Sequence, residues 1–575
     1  MSTRGTKRTL VSCLMAAGLL ALACGPGAAP TATPKPAAPA PAKAPTAPSA
    51  PKPAAPTAKP AAPAPKPAAP SPTPKPAAEQ PRYGGILPTA ASGDPPSFDL
   101  YQESTMSALE PISPCYDGLV EYDLRTWKIV GVLAEKWETS PDGLAYTFHL
   151  RKGLKWHDGK PFSSEDVRYG LERQKTPPKG IRSARKEQLI AVDKIETPDA
   201  NTVKIAMKEP YSAFMAQFAT DWFVVMPKHV IEAKGDMKKD VVGTGAFKLK
   251  AYGQGVSVEL VKNPDYFTKG LPYLDGITHY IIKDGATRFS ALRTGRVKMT
   301  GHWASLVPSE AATLKAEQPE LVIWKFAALA CPWHAINTKE PPFDDVRVRQ
   351  AASLAYDRQA AIKVLAEGEA KVGTFLPPGE WGLPEAEVLK LPGYRQPKDA
   401  DRAEAKKLLA EAGYPDGVEF KLLVRSVRLD KKAGEFMKDQ LATVGIKANI
   451  EVMETAVYNT RTRGFNYQMG SQQNIWRIND PDELSRKFLT GSAQNYPQWS
   501  NKKFDDLFAE QSRTLDVAKR KAIARQMDDI LLKEWPSIWP YWADAILCTW
   551  PEVKNFAAPP GHYSCMRLRD IWLAK

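Results

Sequence analysis

The chain has 575 residues, 43% hydrophobic and 25% charged, a composition typical of a soluble globular protein too long for one ordinary core. Its formal charge is +14, but residues 1–80 hold nine Lys or Arg against one acid, so the remainder carries only +6. A basic tail without a concentrated basic, aromatic-interleaved surface argues against nucleic acid as a partner.

Arg4, Lys7 and Arg8 precede an apolar run from Leu10 to Ala23. That run is too short to span a bilayer and has the layout of a secretory signal. It ends in Ala21-Leu22-Ala23-Cys24-Gly25, which resembles a bacterial lipobox, with Ala21 where Leu is usual. The resemblance implies a signal peptide over 1–24, lipid attachment at Cys24 and an extracytoplasmic location on the membrane. No other run approaches the roughly eighteen apolar residues a spanning helix needs. The compartment permits disulfides, and the spacing of Cys115, Cys331, Cys548 and Cys565 leaves open whether any form.

Residues 25–82 form a Pro/Ala/Lys-rich spacer, and 19 of the 52 prolines lie in 25–80. Proline removes backbone donors and fixes φ, and no large apolar residue is present to bury. The segment is expected to be disordered and extended, with a reach on the order of 170 Å.

Folded sequence is expected from Tyr83-Gly84-Gly85-Ile86-Leu87 onward. Residues 144–150 and 256–260 alternate as half-buried strands do. Asp344-Asp345 cap a helix running through Ala355. Asp399 to Gly413 predicts another, with an Asp cap, Leu408 and Leu409 on the buried side and Gly413 as the terminating residue. Strands and helices mix without repeat, so the class is α/β or α+β with several domains.

Several blocks then carry a family resemblance. Tyr116-Asp117-Gly118-Leu119-Val120, Leu133-Ala134-Glu135-Lys136-Trp137-Glu138, and Asp142 through Gly153 occur in order. Lys155-Trp156-His157-Asp158-Gly159-Lys160-Pro161-Phe162, Gly243-Thr244-Gly245-Ala246-Phe247, Asn263-Pro264-Asp265-Tyr266-Phe267 and residues 345–351 follow. Over 83–575 the chain resembles the family-5 extracellular solute-binding proteins, the oligopeptide, dipeptide and nickel binders of ABC importers. The resemblance implies an α/β, two-lobed clamp with three domains. Domain I would be discontinuous (83–125, 240–335 and 541–575), domain II would be 126–239 and domain III 336–540. It further implies a monomer that closes by hinge motion on a small molecule or peptide and delivers it to permease subunits.

Asp158-Gly159 is expected in a turn, and Phe148, Trp137 and Trp156 in the core. Arg347 and Arg349 are expected to make ion pairs between elements. The informative segment is Gln472 to Asp482. Peptide-binding relatives carry a Trp here and, three residues on, an Asp for the peptide ammonium. This chain has Trp476 and Asn479, an amide without the charge, with Asp480 one step away. Gln473 stands where some relatives place a basic residue for the ligand carboxylate. The expected ligand-binding residues are therefore Trp476, Asn479, Gln473 and Asp480, with Ser92, Gly93 and Asp94 from the first-lobe loop. Gln473, Trp476 and Asn479 together suit a neutral polar ligand. Trp222, Trp303, Trp381 and Tyr496 are candidate walls.

Seven histidines form no H-x-x-x-H or paired Cys/His pattern, so no metal cage is expected. Neither a G-x-S-x-G elbow nor a phosphate loop occurs, and Asp344-Asp345 and Asp505-Asp506 suit caps and solvated faces. No catalysis and no cofactor are expected. The alternative is a non-transport role on the same fold, as a chemosensory receptor or cell-surface hydrolase.

Overall fold

The computed structural model describes residues 79–301, 305–558, 563–564 and 566–574. The expected signal segment, Cys24, nearly all of the proline-rich stretch, Trp303 and Cys565 lie outside the described residues.

Ile86–Ala91 runs parallel to Gly276–Ile281, which pairs antiparallel with Ser257–Lys262, itself antiparallel to Phe247–Gly253. A second four-stranded sheet has the order Ala134–Thr139, Ala145–Leu150, Thr202–Met207, Val192–Asp199, antiparallel throughout. The largest sheet orders Ala370–Lys371, Trp542–Thr549, Val322–Ile336, Met469–Ile475, Val418–Arg425 and Ile446–Met453, with Ser537–Ile538 also on Val322–Ile336. Its far strands are parallel and are crossed over by the helix Arg428–Ala442.

The apolar side chains gather in separate cores. One contains Leu87, Leu109, Ile112, Phe247 and Ile277, and a second Phe148, Trp156, Ile205 and Phe214. Val242 and Phe267 pack against both, which joins them into one body. A third core, with Trp333, Ala351, Leu422, Met437 and Trp539, lies elsewhere. A smaller cluster around Leu292, Leu314 and Ile546 flanks the first.

Two antiparallel strands tie the third core to the first. Along Val322–Ile336, Phe326, Ala328 and Ala330 face the first core, whereas Leu329, Cys331 and Trp333 belong to the third. On the partner strand Trp542 belongs to the third and Ala545 and Leu547 to the first. The pairing slips between Ala327 and Ala330, and Leu329 takes a left-handed φ of 49°. A buried non-glycine residue in that region is strained by about 1–2 kcal/mol, which the packing around it must offset.

The expected strands form at Ala145–Leu150 and Ser257–Lys262. Asp345 caps Val346–Ala355 by accepting from Arg347 N. In the helix Asp399–Glu411, however, Lys398 holds the cap position and Asp399 is the first helical residue. Gly413 follows the helix at φ 92°, as a terminating glycine does. Gly159 sits at φ 84° in its turn, Phe148 and Trp156 are buried, and Trp137 packs against the second core. The expectation for the arginines needs correction. Arg347 pairs with Asp345 of its own cap, and its link to another element is to the carbonyl of Glu411. Arg349 donates to the carbonyls of Phe343, Asp344 and Glu534. Between elements, both guanidiniums satisfy carbonyls at helix and loop ends rather than carboxylates. Cys115, Cys331 and Cys548 are buried free thiols.

Candidate functional site

The strand Met469–Ile475 leads into a loop that reaches all three cores. Ile475 packs against the first, Trp476 belongs to the third and Ile478 to the second. Trp476 N donates to the carbonyl of Leu329, the strained residue on the crossing strand, at 3.0 Å. The loop then enters the short helix Pro481–Ser485, capped by Asp480.

Trp476 is 4% exposed, its ring 5.0 Å from Trp542 and 4.5 Å from the Lys487 ammonium. Its Nε1 is buried without a hydrogen-bond partner, as are Gln473 Oε1 and Asn474 Nδ2. Buried polar atoms are usually paired, and these three lie within four residues of one another. Asn479 is exposed, and its backbone carbonyl accepts from Trp381 Nε1 at 2.9 Å. Asp480 is fully committed: Arg520 grips it at 2.7 and 3.0 Å, and it accepts from Asp482 N. The Arg520 guanidinium in turn lies 5.0 Å over Trp381.

On the first body, Asp94 accepts from Gly255 N at 2.6 Å and Tyr252 Oη at 3.1 Å, and pairs with Lys283 at 3.0 Å. These bonds, the Gly255 amide foremost, hold its carboxyl below the usual range. It stitches a loop together, beside Ser92 and Gly93 at the end of Ile86–Ala91. Trp222 is buried, with Tyr563 6.0 Å from its ring. Tyr496 lies 5.8 Å from Trp333.

The polar contacts between the bodies centre on residues that sequence reasoning missed. Tyr211 Oη donates to Asp482 Oδ1 at 3.2 Å, and Ser212 N to Ser512 O at 2.9 Å. Gln217 Nε2 donates to Glu483 Oε2 at 3.3 Å, while Glu483 also accepts from Arg477 at 2.9 and 3.0 Å. With its carbonyl turned toward Arg477, Gln188 accepts from both terminal nitrogens at 2.5 and 2.7 Å. Asp482 is held further by Arg486 and Ser512. Arg185 is 1% exposed, has its guanidinium carbon 4.2 Å from the centre of the Trp222 ring, and donates to the carbonyls of Ala184 and Glu103. Lys487 donates to Asn474 Oδ1, and burial pushes its amine down to about 8. In sequence Arg185 and Lys487 sit in basic runs, Arg182 to Lys186 and Arg486-Lys487, that look solvated. Only Arg477, next to Trp476, carried a positional signal.

Among the described residues no group of three or more His, Cys, Asp or Glu is placed to hold a metal ion. No described helix is long and apolar enough to cross a membrane.

Two α/β bodies joined by crossing strands, with orphaned polar atoms where they meet, define a two-lobed binding protein. The model of bacterial extracellular solute-binding proteins, family 5, matches residues 128–496. The glutathione-binding protein GsiB of Salmonella choleraesuis is 32% identical over 438 residues, covering 74% of this chain and 82% of that one. Among solved structures, the periplasmic binding protein DppA of Helicobacter pylori, in complex with the peptide STSA, superposes with TM-score 0.73 at 27% identity. The alignment covers 86% of this chain and 99% of DppA. AgaA of A. tumefaciens R10, in complex with agropinic acid, gives 0.72 at 29% identity, covering 85% and 99%. The chain belongs to the family-5 solute-binding proteins of ABC transporters.

Proposed function

We propose that this protein captures a small polar solute, a peptide or a glutathione-like molecule, outside the cytoplasm and hands it to the permease of an ABC importer. It acts as a monomer, tethered through Cys24 and the proline-rich spacer, and releases its cargo unchanged. The observation that carries the proposal is the junction of the cores. There Trp476, Gln473 and Asn474 hold unpartnered polar atoms beside contacts that bridge the lobes, Tyr211 to Asp482 and Gln217 to Glu483. A solute that completes those hydrogen bonds favours the closed lobes over the open ones, which is what capture requires. The named ligands of GsiB, DppA and AgaA support a cargo of this size.

Trp476, Gln473 and Asn479, with Ser92 and Gly93 opposite, are the proposed ligand contacts. Asp480 and Asp94 shape their loops. The proposed domains are 83–125, 240–335 and 541–575, then 126–239, then 336–540, in keeping with the separate apolar cores.

The test is calorimetry of the mature protein with reduced glutathione and with short peptides, and recovery of the bound solute by mass spectrometry. Binding with the solute recovered intact is the expected result; turnover of the solute would refute a transport role. For the anchor, Cys24→Ser is expected to move the protein from the membrane to the soluble fraction.

A further inference from the structure

The contacts between the lobes continue outward from the candidate site to the protein surface. Asp482 accepts from Tyr211 of the opposite lobe and from Ser512 of its own. Ser512 lies in the last turn of the helix Lys502–Arg513, whose Phe504, Leu507 and Phe508 belong to the third core. Its carbonyl accepts from Ser212 N at 2.9 Å, a backbone hydrogen bond from one lobe to the other. One residue on, Arg513 Nε pairs with Glu209 at 2.8 Å, and both side chains stand half out in water.

Beyond the helix, Leu515 lies in the turn that leads into Val517–Glu534. Its side chain reaches the hairpin between Ala134–Thr139 and Ala145–Leu150, whose Tyr146, Phe148 and Leu150 belong to the second core. Gly143 stands at the tip of that hairpin with φ 69°, yet it is buried. Leu515 is what covers it. A Cβ at position 143 would lie 2.9 Å from Leu515 Cδ1 and 3.4 Å from Pro210 Cβ, so the leucine seats where the glycine has no side chain.

The turn that carries Leu515 is held in place from its own side. Asp516 caps the next helix by accepting from Lys519 N. Gln511 is fully buried, and its carbonyl and side-chain oxygens accept from Arg520 at 3.2 and 2.9 Å. Arg520 also grips Asp480, so the rim turn is tied to the loop that carries Trp476 and Asn479.

We propose that this turn is a latch. The Ser512 carbonyl, Arg513 and Leu515 seat on residues 209–212 and on the hairpin tip, and they hold the lobes shut at the rim whether or not the cleft is filled. Every one of these contacts joins protein to protein. A neutral hydrogen bond, an exposed ion pair and a seated leucine each shift an open–closed equilibrium a few-fold, and the three together roughly 30-fold. Solute then enters and leaves only while the latch is open. The latch goes beyond the capture function proposed above and does not depend on which solute is carried.

The experiment is amide hydrogen exchange, read at residue resolution by mass spectrometry, on mature protein shown by native mass spectrometry to hold no solute. The Ser212 amide is the reporter, because its backbone partner lies in the opposite lobe. Protection of about 10-fold or more is expected there without any solute. Leu515→Ala should lower it by about 5-fold and Arg513→Glu by about 3-fold, the scales of a partly buried leucine and an exposed ion pair. Glu209→Arg combined with Arg513→Glu should restore it, which a loss of local packing would not. The amides of Thr202–Met207, inside one lobe, should keep their rates in every variant.

Free exchange at Ser212 in the solute-free protein overturns the proposal. So does protection that survives Leu515→Ala and Arg513→Glu together, a charge reversal that Glu209→Arg does not rescue, or a loss shared equally by Thr202–Met207. The readout needs no solute, so a failure of capture would appear in the calorimetry described above and leave these rates unaffected.

Discussion

Tyr211 and Asp482 offer the sharpest probe of closure. The tyrosine belongs to the second core and the aspartate to the helix Pro481–Ser485, which packs through Leu484 into the third. Their bond therefore exists only when the lobes are together. Tyr211→Phe removes the hydroxyl and keeps the ring, which packs 6.5 Å from Phe214. Asp482 retains Arg486 and Ser512, so no bare carboxylate is left. A hydrogen bond to a charged group contributes about 1.5–3 kcal/mol, and at 3.2 Å this one falls at the low end. A loss of ~1.5 kcal/mol lowers the closed-to-open ratio about tenfold. Small-angle scattering should show a more open average shape, and calorimetry should show Kd for the co-purified solute raised by up to ~10-fold. An unchanged Kd with unchanged scattering would refute the assignment of this contact to closure. A fall in thermal stability with Kd intact would refute it too, since the bond would then act within one rigid body.

Other outcomes follow from the same geometry. Trp476→Phe should leave unfolding by urea nearly unchanged, because the lost N–H has no partner, but should weaken solute binding by about tenfold, the scale of one buried hydrogen bond; equal affinity would show that the indole serves packing alone. Asp480→Ala strips Arg520 of its buried partner and the helix of its cap, and should cost about 3–5 kcal/mol in urea denaturation; a loss below ~1 kcal/mol contradicts that account. Asp528 is fully buried, and desolvation raises its carboxyl to about 7 despite Thr374 and Arg525. An unfolded Asp ionises near 3.9, so between roughly pH 4 and 7 the folded state holds the proton that the unfolded state has lost. Stability should then fall by up to ~1.4 kcal/mol per pH unit as pH rises through that window. Asp528→Asn should remove this slope and be the more stable form at pH 8; parallel pH profiles would refute it.

Local sequence was enough for features whose cause is local. The capping Asp345, the terminating Gly413 and the alternating strand at 145–150 depend on neighbours a few residues away, and they formed accordingly. The family blocks placed the fold and pointed to the segment around Trp476. Charge at the site was another matter. The sequence shows Asn479 as an uncharged amide, but not that the residue is exposed and that its carbonyl accepts from Trp381. Asp480 looked available and is locked to Arg520, 40 residues away.

What the sequence determined by itself is the class of protein: signal-like leader, proline-rich spacer and a long α/β chain with ordered family blocks, all properties of composition and neighbouring residues. What only the tertiary structure decided is which charges are buried and what each one pairs with. Arg185 and Lys487 lie about 300 positions apart in basic runs indistinguishable from solvated surface. Whether a cation has a partner depends on every element folded around it and on the water that folding removes, and no spacing along the chain records either.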